Sequence, residues 1–182
     1  MYELLILSIL RNRDMSGYKL GQVLESSLVP RREISNGVIY PLLNRLEENG
    51  DILVTEKSGE PRNKKMAHIT ELGEQHFQEL MRLPVANDAK RESTYRFKFR
   101  GMVGVDKQTQ QQILNDYAAA VQSDLTLYQR DQAHLRKQIQ TKNGNVASLR
   151  MAVKALDLST SICQTKQSWI KEYRQELEHE GE

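Results

Sequence analysis

Apolar residues at helical spacing dominate the first half of this chain, and the polar positions between them fall asymmetrically. Residues 2–12 are apolar almost all round (Leu4, Leu5, Ile6, Leu7, Ile9 and Leu10), which predicts a helix buried on every side. Leu20, Val23 and Leu24 share one face of a second predicted helix, with Ser16 placed to cap it. Ile39, Leu42, Leu43 and Leu46 recur at i, i+3, i+4 and i+7 in a third. That helix starts at Ser35 and stops at Gly50, a residue that tolerates the left-handed conformation. Pro41 falls inside it and removes a hydrogen bond to the Gly37 carbonyl. The apolar period runs through the proline, so the helix is expected to continue with a bend. Two β-rich runs, 52–57 and 65–70, flank the stretch 58–64, which contains Gly59 and Pro61, and predict a hairpin. Thr70 can cap a fourth helix carrying Leu72, Phe77, Leu80 and Met81.

Leu83-Pro84-Val85 breaks this pattern and sets the expected boundary, with one domain over 1–84 and a second over 85–182. Residues 88–102 fit two periods. Tyr95, Phe97 and Phe99 alternate with cations as a strand would, while Tyr95, Phe99 and Met102 sit at helical spacing; the helix is taken. Two long helical segments follow. Leu114, Tyr117, Val121, Leu125, Tyr128, Leu135 and Ile139 recur at three- and four-residue steps, with Gln132 in one slot. Leu149, Val153, Leu156, Thr160, Cys163, Ile170 and Tyr173 do the same, with Gln167 in one slot. The turn Lys142-Asn143-Gly144-Asn145 separates the two halves of this coiled-coil-like seam. The first segment, Asp106–Lys142, is about 55 Å long as a helix. Two such helices folded back on each other leave apolar surface open, which predicts a homodimer through the C-terminal helices.

Composition narrows the class without naming a partner. Hydrophobic content of 38% and charged content of 27% suit a globular domain, and no window has the apolar run that a membrane span requires. Leu4–Leu10 lacks the basic start and cleavage site of a signal peptide. One cysteine, Cys163, excludes an internal disulfide, and the expected location is the cytoplasm. Net charge is +2, and residues 1–84 carry 11 Lys/Arg against 12 Asp/Glu. A nucleic-acid partner must therefore be argued from local placement of charge, not from the total.

Enzyme chemistry finds no footing. His68, His76, His134 and His179 show no metal-ligand spacing, no Gly-rich phosphate loop is present, and Cys163 lies on the helical seam as a small core residue would. No cofactor is expected. What the residues do suggest is a helix with one apolar face and a polar arc of Asn36, Tyr40, Asn44 and Arg45, followed by a hairpin with basic residues. That order reads as a winged helix-turn-helix. The expected fold is mainly α, with a small two-stranded wing and a C-terminal long-helix hairpin for dimerisation.

Particular residues carry the resemblance of residues 1–80 to the PadR family of bacterial transcriptional regulators: Ile6-Leu7-Ser8-Ile9-Leu10, Ser16-Gly17-Tyr18, Ile39-Tyr40-Pro41-Leu42-Leu43-Asn44-Arg45-Leu46-Glu47-Glu48-Asn49-Gly50, and Ile69-Thr70-Glu71-Leu72-Gly73. Their order and spacing fit together. The remaining hundred or so residues resemble the longer-tailed branch in architecture alone. Ala67, where an aromatic is common, and His68 depart from the wing pattern. The resemblance implies that the helix from Ser35 is a recognition helix whose N-terminal residues face base edges in the major groove. Ser35, Asn36 and Gly37 sit there; Asn can pair with an adenine edge, and Gly lets the backbone come close. Tyr40 and Arg45 lie further along. The plainer readings are a helix-start cap for Asn36 and Gly37 and a core aromatic for Tyr40.

Arg62, Lys64 and Lys65 give the hairpin tip three cations that can lie along the DNA backbone, against the plainer reading of a solvated loop. Ser16, Gly17, Tyr18 and Lys19 open the second helix, whose N-terminus can receive a phosphate; capping alone also explains Ser16. Arg31 and Arg32 can add phosphate contacts. The resemblance further implies a small-molecule effector, with Tyr95, Phe97, Phe99, Trp169 and Tyr173 as pocket candidates; packing of the dimer core is the plainer role for each. The expectation is a homodimeric repressor binding double-stranded DNA at a roughly palindromic operator. A winged-helix protein–protein adaptor and a ligand carrier are the rivals.

Overall fold

A computed structural model describes residues 1–57 and 64–179. The described chain separates into two compact units, Met1–Gln110 and Gln111–Glu182. In the first, helix α1 (Tyr2–Leu10) is buried from Leu4 through Leu10, as its unbroken apolar run requires. The two-residue strand β1 (Met15–Ser16) leads into α2 (Gly17–Ser27), where the Ser16 hydroxyl caps the helix by accepting from the Lys19 N–H at 3.4 Å. Helix α3 (Asn36–Glu48) follows with Pro41 inside it, and Gly50 stops it at φ 77°. Strands β2 (Ile52–Lys57) and β3 (Lys64–Ile69) pair antiparallel, and α4 (Glu71–Arg82) starts under a Thr70 cap.

The wing differs from the expected two strands. β1 pairs with β3, giving a three-stranded sheet of order β1-β3-β2. This accounts for both departures noted in the wing. Ala67 lies on the central strand, paired with Met15 on one side and Val54 on the other, and is buried. His68 bridges both edges: its Nδ1 is 2.8 Å from Asp14 Oδ2 and its Nε2 is 2.7 Å from Thr55 Oγ1.

The first compact unit also runs past the Pro84 break. Helix α5 (Arg91–Gly101) is a helix, as taken from its spacing, and it packs against α1, with the Tyr2 and Phe97 rings 6.4 Å apart. The buried Lys98 spans the break by donating from Nζ to the carbonyls of Met81 at 2.6 Å and Leu83 at 2.5 Å, so two carbonyls at the end of α4 gain a cationic partner. After a 3-10 turn at Met102–Gly104, Asp106 caps helix α6 (Lys107–Gln140). Gly73, Phe77 and Met81 form the buried face of α4, and Leu72, off that face, is 56% exposed. A Cβ at Gly73 would lie 2.0 Å from the Asp51 carbonyl oxygen, so only glycine lets α4 approach the start of β2.

In the second unit, α6 and α7 (Val146–His179) form an antiparallel hairpin around Lys142 and Gly144, both at positive φ. Polar contacts mark the register: Arg174 donates to Asn115 at 2.7 Å, Gln167 to Gln122 at 2.7 Å and Gln132 to Asp157 at 3.1 Å. Both polar slots of the expected seam thus find a partner across the hairpin. Leu114, Tyr117, Val121, Leu125, Cys163 and Ile170 are buried along it, together with Ile113 and Leu177, which the seam pattern did not include.

Candidate nucleic-acid interface

The exposed arc of α3 is the starting point. Ile39, Leu42, Leu43 and Leu46 are all buried, while Asn36, Gly37, Tyr40, Asn44 and Arg45 are all exposed. The buried stripe fixes the rotation of the helix, so the polar arc must face away from the core. Ser35 stands at the N-cap without a side-chain cap hydrogen bond. Val38 and Ile39 donate their backbone N–H groups to the Ser35 carbonyl at 2.9 and 3.4 Å, which starts the helix without any side chain. Ser35, Asn36 and Gly37 therefore keep their outward positions, and the capping explanation for Asn36 loses its support. Gly37 has room around it: the nearest atom to an added Cβ is the Ser35 hydroxyl at 3.6 Å. No clash within the protein therefore requires glycine at this position.

Helix α2 meets α3 closely through two glycines. A Cβ on Gly21 would lie 2.5 Å from Ile39 Cδ1, and one on Gly17 would lie 3.1 Å from Leu43 and 3.2 Å from the Tyr40 ring. Tyr40 is 47% exposed, so it lies against the α2 N-terminus with one side open to solvent; it is not a core aromatic. The geometry thereby brings Gly17 and Tyr40 together, as sequence reasoning alone could not. Tyr18, 69% exposed, accepts a hydrogen bond from Gln22 Nε2 at 3.1 Å, and Lys19 is exposed beside it. Ser16 is buried and its hydroxyl is occupied in capping, so of its two expected roles the structural one is filled.

Other expected positions fall as follows. Arg45 donates from Nε to Glu3 Oε1 at 3.0 Å, tying α3 to α1 while its side chain stays 59% exposed. Lys65 is exposed on β3, whereas Arg62 lies outside the described residues and Lys64 is described only through its backbone pairing with Lys57. Arg31 is exposed and Arg32 donates to the Tyr2 hydroxyl at 3.4 Å.

The effector candidates divide between the two units. Tyr95 and Phe97 are buried in the first, and the Phe99 ring is 6.1 Å from Tyr95. Trp169 and Tyr173 belong to the second, with ring centroids 5.3 Å apart. Among the described residues no three His, Cys, Asp or Glu side chains gather as metal ligands, and no helix is long and apolar enough to cross a membrane.

One positioning residue escaped the sequence reading. Glu25 Oε1 on α2 accepts from the Ile34 N–H at 3.1 Å, which holds the loop that leads into α3. A carboxylate on the flank of an amphipathic helix carries no local signal of that role.

The chain also matches known proteins. The model of the transcriptional regulator PadR-like family matches residues 6–79. The transcriptional regulator YqjI of Escherichia coli (strain K12) is 38% identical over 77 residues, covering 42% of this chain and 36% of that protein. The match thus spans about a third of the length of this curated relative. Among solved structures, Bacillus subtilis PadR in complex with operator DNA is 18% identical, with 94% of each chain covered and a TM-score of 0.43. The PadR-like transcriptional regulator BC1756 from Bacillus cereus is 24% identical, with 99% of each chain covered and a TM-score of 0.39. Residues 6–79, where the buried ridge of α3, the glycine contacts of α2 and the wing all lie, are thus the part of this chain that is similar to the transcriptional regulator PadR-like family.

Proposed function

We propose that this protein is a DNA-binding transcriptional regulator that acts as a dimeric repressor. The observation that carries the reading is the outward arc of α3, with Asn36, Gly37 and Tyr40 exposed above four buried aliphatic residues and Tyr40 set against Gly17 of α2. Asn36 supplies the amide that can pair with a base edge, and Gly37 admits the backbone to the groove. Tyr40, Tyr18 and Lys19 supply donors toward phosphates, and Ser35 and Arg45 flank them. Lys65, with Arg62 and Lys64 of the tip, adds the sequence-independent electrostatic part.

Dimerisation is supported by a second apolar stripe on α7. Met151, Leu158, Ile162 and Trp169 are exposed, and with Ala155 and Thr165 they follow steps of four and three residues. A heptad stripe left open on a long helix is the pattern that a second helix covers. We assign it to a second copy of this chain, and two recognition helices related by a two-fold axis then read half-sites about 34 Å apart on a roughly palindromic operator. Release by a small molecule rests on the resemblance and on the aromatic residues Tyr95, Phe97, Phe99, Trp169 and Tyr173, two of which already serve as core.

The test is a titration of the protein into duplex DNA from upstream of its own gene, against a random duplex, at two salt concentrations. Preferential binding that weakens with salt is expected; an absence of affinity for either duplex refutes the reading and favours the adaptor. Sedimentation of Leu158→Glu with Ile162→Glu should show a monomer where the wild-type chain is a dimer.

A further inference from the structure

The first unit holds a cleft of about 350 Å³ between α2 and the sheet, lined by Arg13, Asp14, Met15, Lys19, Gln22 and Met66 among others. Arg13 and Lys19 are both exposed. Neither side chain has an ion pair or hydrogen bond to the described residues, in contrast to Arg11, Arg45 and Arg82, which pair with Glu74, Glu3 and Asp106. Two cations without direct ion pairs, against the one carboxylate of Asp14, favour a polyanion at this concavity. Lys19 lies in the first turn of α2, two residues from Gly17, and Gly17 abuts Tyr40, so the cleft and α3 share the N-terminal end of α2 while lying on different faces of it.

We propose that this cleft seats a backbone phosphate of the bound duplex, held by Arg13 and Lys19, an assignment that rests on the DNA-binding reading above. Arg13 then belongs to the interface although it lies in the loop before β1, outside both helices and the wing tip. Asp14 lines the same cleft and opposes the phosphate. Its Oδ2 is held 2.8 Å from His68 Nδ1, so its charge is fixed at the edge of the seat. The seat is thus a balance of two cations against one carboxylate, and the two signs make opposite predictions.

The experiment measures binding of the full chain to a labelled random duplex of about three helical turns, and to the duplex from upstream of its own gene, across a salt series. Arg13→Ala should weaken both to the same extent and lower the slope of log K against log salt by about 0.9, the share of one phosphate contact. Arg13→Lys should restore that slope, because the charge and not the fork is what the seat uses. Asp14→Asn should tighten binding to both duplexes by about fivefold, the effect of removing one like charge at about 4 Å in high dielectric. A wild-type slope in Arg13→Ala, a failure of Arg13→Lys to restore it, or unchanged affinity in Asp14→Asn overturns the seat while leaving the regulator reading in place. A wild-type chain with no affinity for either duplex overturns the regulator reading and the seat together.

Discussion

Replacing Gly73 by alanine sets two effects of opposite sign against each other. Helix propensity favours the change, because alanine inside a helix gains about 0.5–1 kcal/mol over glycine. Packing opposes it. The new Cβ would lie 2.0 Å from the Asp51 carbonyl oxygen and 2.9 Å from both the Asp51 carbonyl carbon and Ile69 Cγ1. The nearest obstacle is backbone, so it cannot rotate away. The two segments must part by about 1.5 Å to reach an ordinary contact distance, at a typical overpacking cost of about 1–3 kcal/mol. The same retreat pulls Thr70 from its partners. Its hydroxyl donates to Gly50 O at 2.6 Å, and its N–H donates to Asp51 O at 3.1 Å. Each weakened hydrogen bond adds about 1 kcal/mol. The net is a loss of about 2–4 kcal/mol, which lowers a urea midpoint by about 1–2 M at unchanged slope. Equilibrium unfolding followed by circular dichroism measures it. If Gly73→Ala is as stable as the wild-type chain or more so, propensity has won and the close approach of α4 to Asp51 is wrong.

Three further substitutions probe the interface and its supports. Asn36→Ala should shrink the preference for operator over random DNA by about 1–3 kcal/mol at an unchanged salt slope, and unaltered preference would remove Asn36 from base readout. Glu25→Ala frees the Ile34 N–H and should cost about 1 kcal/mol of stability with a looser sequence preference; identical melting and preference would show that the loop before α3 needs no tether. Asp106 accepts from the Thr109 N–H at 2.8 Å and from its hydroxyl at 3.0 Å, and these bonds, the backbone one foremost, hold its carboxyl below the ordinary carboxylate range. Its folded-state value is depressed, so its contribution is present above the ordinary carboxylate range and is lost as pH falls through the folded value. The stability gap between the wild-type chain and Asp106→Asn should therefore close as pH drops, and a gap constant from neutral pH to about pH 3 would contradict the cap.

The α3 face was legible because its information is periodic: four aliphatic residues at helical spacing define a buried side and, by exclusion, an open one. The Thr70 cap and the Gly50 stop were legible for the same local reason. What escaped depends on contacts between distant segments. β1 is two residues long, too short for any period, and exists because Met15 and Ser16 find Ala67 and Met66 on β3. Leu72 is apolar but lies about 140° round α4 from Phe77, so the period that buries Phe77 and Met81 brings in Gly73, a residue with no apolar side chain to signal it. The Pro84 break is real in the helix pattern, but Lys98 reaches back across it to the carbonyls of Met81 and Leu83, so the compact unit continues. Convergence of Gly17 with Tyr40 was equally out of reach, since it depends on how α2 crosses α3.

The two glutamines inside the α6–α7 hairpin work as a ratchet. Gln132 is 8% exposed and meets Asp157, and Gln167 meets Gln122, so each amide has one designated mate on the opposite strand of the hairpin. Aliphatic rows alone would let one helix slide by seven residues and find equivalent neighbours, whereas a slide here separates the buried Gln132 amide from Asp157 and breaks the exposed Gln167–Gln122 bond. Lengthening the connection at 141–145 leaves that indexing untouched. A single residue inserted between Gln122 and Gln132 destroys it.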